Sequence, residues 1–240
     1  MEDIPTEQWS VTCIEEGVIQ VKKIPVPTPA PGQVLVKCMA APINPSDMGF
    51  LKGIYSEHGL FKIHYPSQPG WEGAGIVVQN GGGLAGILGW RVMGTRVAFT
   101  RTVHNNTEMI AGGTMQQYVL ADAYACVPLP DSIPFDIGSM FFVNPITAFG
   151  LVDRIQLHGS AAAVQTAAFS QLGRMIIKLC KDRSIPLINI VRKDEQIRIL
   201  QQQYGAEYVL NSTAEGFEEE LKNLSKKLKA KTLLECIGGT

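Results

Sequence analysis

Charge of one sign is what this sequence most plainly lacks: 21 Lys and Arg stand against 22 Asp and Glu, a formal net charge of −1. Phosphate backbones are held by a basic face, so nucleic acid is excluded as an expected partner. Long apolar runs are missing too. Spanning a bilayer takes about 20 consecutive apolar residues, and no stretch of the chain supplies them, so no membrane partner is expected. The opening MEDIPTEQWS is acidic, with neither an apolar core nor arginines, and does not read as a secretory signal or a transit peptide. A processed organellar protein would look the same, so the expected compartment is the cytoplasm or the mitochondrial matrix.

Paired cysteines are absent as well. The five cysteines (Cys13, Cys38, Cys126, Cys180, Cys236) are scattered, with no CxxC and no pairing with the four histidines. That spacing supplies no zinc framework and fits reduced, mostly buried thiols. His58 and His64 stand six apart without a third ligand and are expected to face solvent or to hydrogen-bond; no metal site is expected. Internal repeats and low-complexity tracts are also missing.

What is present divides in two. The first half is rich in Pro, Gly and β-branched residues, and short alternating segments predict strands at 8–15, 20–25, 33–40, 75–79, 96–100, 114–121 and 125–128, a compact barrel-like β domain. Pro45 to Leu51 predicts a short helix capped by Asn44 or Ser46. Helical texture follows over Phe135 to Leu151 and on to Ile155, with Pro145 starting or kinking a helix because it lacks an amide donor. From there strands (163–166, 187–191, 208–210, 232–236) alternate with helices (171–181, 194–204, 215–229), which predicts a parallel sheet with helices on its faces.

The centre of that second half is Ala161 to Arg192, a strand, tight turn, amphipathic helix and strand, the βαβ arrangement that holds a dinucleotide. Its turn runs Ala167-Ala168-Phe169-Ser170-Gln171-Leu172-Gly173, with one glycine where the usual fingerprint has three. Ala167, Ser170 and Gln171 keep the side chains mostly small, and Gly173 remains where the helix must lie against the first strand. Ser170, Gln171, Leu172 and Gly173 are therefore the candidate pyrophosphate-binding residues. The ring of Phe169 either shields the adenine side or fills the cofactor's place. After the second strand an acid would favour NAD through the ribose hydroxyls, whereas this chain has Arg192-Lys193, which can hold a 2′-phosphate; NADPH is preferred over NADH. A doubly wound dinucleotide domain normally has six strands, so roughly 60 further residues, about 30 per βα unit, are expected beyond Thr240.

Five segments in order, AAPINPSDMGFLKGIY (40–55), PGWEGAGIVV (69–78), GGTMQQYVLAD (112–122), VNPITA (143–148) and YGAEYVLN (204–211), resemble the medium-chain dehydrogenase/reductase superfamily. INPSD followed by GIY, with VNPITA and INIVR, is most similar to its zinc-free enoyl thioester reductases of the mitochondrial trans-2-enoyl-CoA reductase type, with the quinone oxidoreductases as nearest neighbours. The resemblance implies an α/β protein with a GroES-like β-barrel domain at 1–131 and, at 132–240, a Rossmann doubly wound domain ending after its fourth strand. It also implies a homodimer at full length. Zinc-binding members carry a cysteine where this chain has Asn44 and a histidine where it has Trp71, and neither replacement ligates zinc usefully.

The resemblance further implies a site. A tyrosine at the spacing of Asp47, Gly53 and Tyr55 lies beside the nicotinamide, where its phenol can donate a hydrogen bond to a thioester carbonyl or pass a proton. Asn44 either orients cofactor or substrate or caps the helix after it. Thr147 matches a position that contacts the nicotinamide half of the cofactor, and Glu72 is expected to make a structural hydrogen bond. Residues 59–67 are expected to line the substrate entrance. The implied function is NADPH-dependent, zinc-independent reduction of an activated double bond in an enoyl thioester or another unsaturated carbonyl compound. The alternatives are quinone reduction and a catalytically silent paralogue or subunit that keeps the fold for assembly.

Overall fold

The computed structural model describes residues 3–57, 62–83, 94–100, 103–104, 108–109 and 113–236. His58 and residues 59–61 of the expected substrate entrance lie outside them. The chain forms two compact units, Met1–Val143 and Asn144–Thr240.

In the first unit β1 (Glu7–Glu15) and β2 (Val18–Pro25) form an antiparallel hairpin, followed by β3 (Gln33–Ala40), helices α1 (Pro45–Leu51) and α2 (Ile54–Glu57), and β4 (Lys62–Ile63). Then come β5 (Glu72–Asn80), β6 (Arg96–Thr100), β7 (Val103–His104), β8 (Glu108–Met109), β9 (Tyr118–Asp122), β10 (Cys126–Pro128) and helix α3 (Phe135–Gly138). Five strands make one antiparallel sheet in the order β10-β6-β5-β3-β9. Its strands are rich in β-branched residues that fit a pleated surface, and Val34, Val36, Val77, Val97, Phe99, Val119 and Ala121 form its core. Gln8 on β1 is almost fully buried yet satisfied: its Nε2 donates to Gln116 Oε1 (3.1 Å) and its Oε1 accepts from the Tyr118 N–H (2.6 Å). Burial pushes the thiols of Cys38 and Cys126 up, to about 11 and about 12.

Leu129, Ile133, Phe135 and Phe142 pack with Ala74 and Ala98 of the sheet. Residues 132–143, expected with the second domain, thereby belong to the first compact unit.

The second unit begins within helix α4 (Val143–Leu157) and continues β11 (Ala162–Gln165), α5 (Gln171–Asp182), β12 (Leu187–Val191), α6 (Asp194–Tyr204), β13 (Tyr208–Asn211), α7 (Phe217–Leu228) and β14 (Ala230–Leu234). The four strands are parallel in the order β13-β12-β11-β14, so the chain reverses its direction of travel across the sheet after β13. That is the strand order of one half of a Rossmann sheet with one strand of the other. On α5 the buried positions Gly173, Ile176, Ile177 and Cys180 recur at helical spacing, and the last three share one core with Val152, Ile155, Ala163, Leu187 and Leu200. The Cys180 thiol, inside that core, is pushed up to about 11 by burial. Helix α6 ends at Gly205 in the left-handed conformation (φ 66°), the usual way to satisfy the last carbonyls.

Several bounds shift by a few residues, and two of the differences have clear local reasons. The helical stretch 135–155 is broken between Gly138 and Val143, where the N–H groups of Phe142 and Val143 donate to the Glu72 carboxylate instead of to carbonyls one turn earlier. Pro145 then falls in the first turn of α4, where its missing N–H costs nothing. The last strand is Ala230–Leu234 rather than 232–236, because Lys229 caps α7 in the left-handed conformation and the strand starts at once.

Candidate functional site

In the first unit the chemistry gathers around α1. Asn44 is its N-cap residue and Pro45 opens the helix with a preset φ. The Asp47 carboxylate reaches back to the Asn44 N–H (2.7 Å), and the Asn44 amide Nδ2 donates to Glu72 Oε1 (3.1 Å). Glu72 is fully buried, and its other oxygen accepts from Phe142 N (2.7 Å) and Val143 N (2.9 Å). Charge-assisted bonds of this kind replace the water a buried carboxylate loses. The expected structural hydrogen bond at Glu72 is thus three bonds, one of them to Asn44.

After α1 the chain turns at Gly53 (φ 69°), a left-handed position, and enters α2, which carries Tyr55. The half-buried Tyr55 ring packs edge-on against Trp71 (centroids 5.5 Å apart) beside the buried cluster of Cys13, Phe50 and Ile63. It lies so close to Gly49 that a Cβ there would stand 3.2 Å from Tyr55 Cε2. Burial pushes the phenol above the ordinary tyrosine value; the nearby Ser46 hydroxyl pulls the other way, and the negative charge of Asp47 adds to the rise. The O–H therefore stays protonated at neutral pH, as a hydrogen-bond or proton donor must.

In the second unit a cavity of about 950 Å³ takes in the carboxyl ends of β11, β12 and β13 and runs along β14 from Ala230 to Leu233. Thr166 and Ala167 after β11, Arg192 after β12 and Ser212 after β13 rim it, and Phe217, Leu221 and Ser225, four apart on one face of α7, form a wall. Ligands of open α/β sheets bind at such strand ends. The turn into α5 is built for close approach. Ala167 adopts φ 49°, the left-handed backbone a fingerprint glycine would take, and a Cβ on Gly173 would stand 2.5 Å from the Ala168 carbonyl oxygen. Ser170 caps α5 by accepting from Gly173 N (3.0 Å). The N–H groups of Gln171 and Leu172 have no acceptor among the described residues, as expected of a first helical turn.

Of the residues singled out in the sequence, Ser170 and Arg192 line this cavity. Gly173 is buried against the turn, and Leu172 packs on the core. Gln171 accepts from Arg174 Nη2 (2.9 Å), and Lys193 is the N-cap residue of α6. Thr147 is exposed in α4. The Arg192 guanidinium makes no ion pair among the described residues; Asp194, two residues on, accepts from Asn211 Nδ2 (2.8 Å) instead. The Phe169 ring is held at the cavity wall, packed on the core and covered by the Arg174 guanidinium 5.6 Å from its centroid. Gln196, Ser212 and the α7 face went unrecognised in the sequence. Gln196 and the α7 face carried a signal, being polar or apolar positions at helical spacing behind each strand. Among the described residues no group of three His, Cys, Asp or Glu side chains could hold a metal ion, and no helix is long and apolar enough to cross a membrane.

The alcohol dehydrogenase GroES-like domain family matches residues 30–131. Rat mitochondrial enoyl-[acyl-carrier-protein] reductase is 32% identical over 234 residues, which cover 92% of this chain and 56% of the relative. The crystal structure of a candidate NADPH:quinone reductase from Mesorhizobium loti is 33% identical with a TM-score of 0.83, covering 99% of this chain and 69% of that one. The chain belongs to the medium-chain dehydrogenase/reductase superfamily. Within it the chain is related to the branch that holds mitochondrial enoyl reductases and quinone oxidoreductases. A second candidate NADPH:quinone reductase, from Bacillus thuringiensis, is 28% identical with a TM-score of 0.78 over 97% of this chain and 66% of that one. The chain spans little more than half the length of the rat relative. Medium-chain membership accounts for the pairing of an antiparallel GroES-like unit with a parallel Rossmann sheet.

Proposed function

We propose that the protein reduces an activated carbon–carbon double bond, that of a trans-2-enoyl thioester, using NADPH and no zinc. The observation that carries this reading is the cavity of the second unit, whose lining includes both a serine-capped helix start and an arginine that makes no ion pair among the described residues. The turn fits a dinucleotide: Gly173 leaves no room for a side chain, Ala167 already holds the left-handed backbone, and two N–H groups remain open. Ser170, the N–H groups of Gln171 and Leu172, and Gly173 would receive the pyrophosphate, and Arg192 with Lys193 the 2′-phosphate. Thr147 would contact the nicotinamide half. The chemistry that bound NADPH supplies is hydride donation to one alkene carbon.

Tyr55 does the rest. Its protonated phenol donates a hydrogen bond to the thioester oxygen as negative charge develops there, or delivers the proton to the second alkene carbon and is reprotonated from water. Asn44 orients Tyr55's surroundings through the Glu72 and Asp47 bonds that fix the start of α1. Replacing Tyr55 by Phe is expected to lower NADPH-dependent crotonyl-thioester reduction by about 100-fold. Reduction of a quinone, which needs no dedicated proton donor, is expected to fall far less, and equal losses on both substrates would contradict the assignment.

Quinone reduction is the second reading, and it rests on the likeness to the Mesorhizobium protein. A wild-type protein that turns over quinones but no enoyl thioester would decide for it.

A further inference from the structure

Strands covered by helices are expected to carry apolar side chains, and β11 and β12 mostly do, with Ala162, Ala163, Leu187, Ile188 and Val191 buried. Two residues break the pattern. Gln165 and Asn189 are 0% and 1% exposed and stand opposite each other in the β11–β12 register. Their amides form one connected chain. Asn189 Nδ2 donates to Leu187 O (3.0 Å) and to Tyr208 O on β13 (2.9 Å). Asn189 Oδ1 accepts from Gln165 Nε2 (2.6 Å), which also donates to Gly173 O in the first turn of α5 (3.1 Å). Carbonyl acceptors at both ends fix which way each amide faces. Three adjacent strands and a helix are thereby joined through two side chains.

Stability alone is a poor reason for this pair. Gln165 Oε1 is buried with no donor among the described residues, a desolvation cost that an apolar pair of the same shape would not carry. The network instead ends on the residue where the turn is tightest. Gly173 gives its N–H to Ser170 Oγ and its carbonyl to Gln165, and its Cα lies against the Ala167 and Ala168 carbonyls. Ala167, in the left-handed region without being glycine, is a strained position. Strain of that kind persists only where the surroundings over-determine the backbone.

We propose that Gln165 and Asn189 are positioning residues for the dinucleotide turn: tying Gly173 to β11, β12 and β13, they hold the first turn of α5 and its open N–H groups in place where the usual glycines are missing. The proposal rests on the dinucleotide reading of the cavity. Its test compares the Gln165→Met, Asn189→Leu double variant and the Gln165→Met single variant, which spares both Asn189 backbone bonds, with the wild type. Three quantities are read: thermal unfolding, NADPH dissociation constant by fluorescence titration, and amide hydrogen exchange of the unliganded protein over residues 173–175, the first bonded amides of the turn. The expected result is a melting temperature within a few degrees of wild type in both variants, an NADPH dissociation constant raised about tenfold, and about tenfold faster exchange at 173–175. Unchanged exchange and affinity, or effects that follow only a lowered melting temperature, would overturn it. A wild type that binds no NADPH would refute the dinucleotide reading, and exchange at 173–175 would still decide whether the pair holds the turn.

Discussion

Tyr55 can lie where it does because residue 49 has no side chain, its ring passing within 3.2 Å of where a Cβ would be. Gly49→Ala in α1 is expected to leave thermal stability equal or slightly higher, since alanine is the better helix former by up to about 1 kcal/mol. Enoyl-thioester turnover is expected to fall about tenfold as the ring is displaced; unchanged turnover would show that the ring's place does not matter. The raised phenol pKa sets a pH dependence with a definite sign. Below that pKa the group is protonated and can donate, so kcat should stay level through neutral pH and fall only on the alkaline side of the ordinary tyrosine value. Tyr55→Phe should lack that alkaline limb. The spacing from Asp47 to Tyr55 was legible in the sequence, but Gly49 and Trp71 as its supports were not, because the turn between α1 and α2 brings Gly49 to the ring and Trp71 comes from just before β5. At Ala167 the sequence showed only a missing glycine, and the structure adds its backbone. Ala167→Gly should raise stability to urea by about 1 kcal/mol, and a loss would argue against strain there.

Among the elements, those with strong local signals match from sequence to structure. Helix α1, with its Asn44 cap and Pro45, and helix α6, with acids in its first turn and Gly205 after its last, have the expected bounds, as does β12 between turn residues. The two-residue strands β4, β7 and β8 were illegible, since two residues have no period. The Gln165–Asn189 pair was hidden for a related reason: one polar residue in a short strand reads as alternation, and only the strand register shows that the two face each other. Within the βαβ unit the cap and the glycine should separate experimentally. Ser170→Ala is expected to cost about 1 kcal/mol of stability and to weaken NADPH binding modestly. Gly173→Ala should abolish binding, because its Cβ would meet backbone carbonyls that cannot yield. Retention of NADPH affinity by Gly173→Ala in a titration would contradict the fit of the turn.

At the scale of the whole molecule, order of segments carried more than any single motif. A one-glycine turn is weak on its own, yet an antiparallel unit followed by parallel strands in the order β13-β12-β11-β14 agrees with it, as do the relatives over 92% or more of the chain. Balanced surface charge could not point to a cofactor preference, because the proposed preference rests on one local arrangement, Arg192 in the cavity lining with Asp194 engaged by Asn211. The central claim is that this glycine-poor unit binds NADPH through that arrangement. It is tested most directly by titrating wild type and Arg192→Ala with NADPH and NADH by fluorescence. Wild type should bind NADPH at least tenfold more tightly than NADH, and Arg192→Ala should bring the ratio toward one with NADH affinity unchanged. Equal affinities in the wild type, or a preference that survives the substitution, would contradict it.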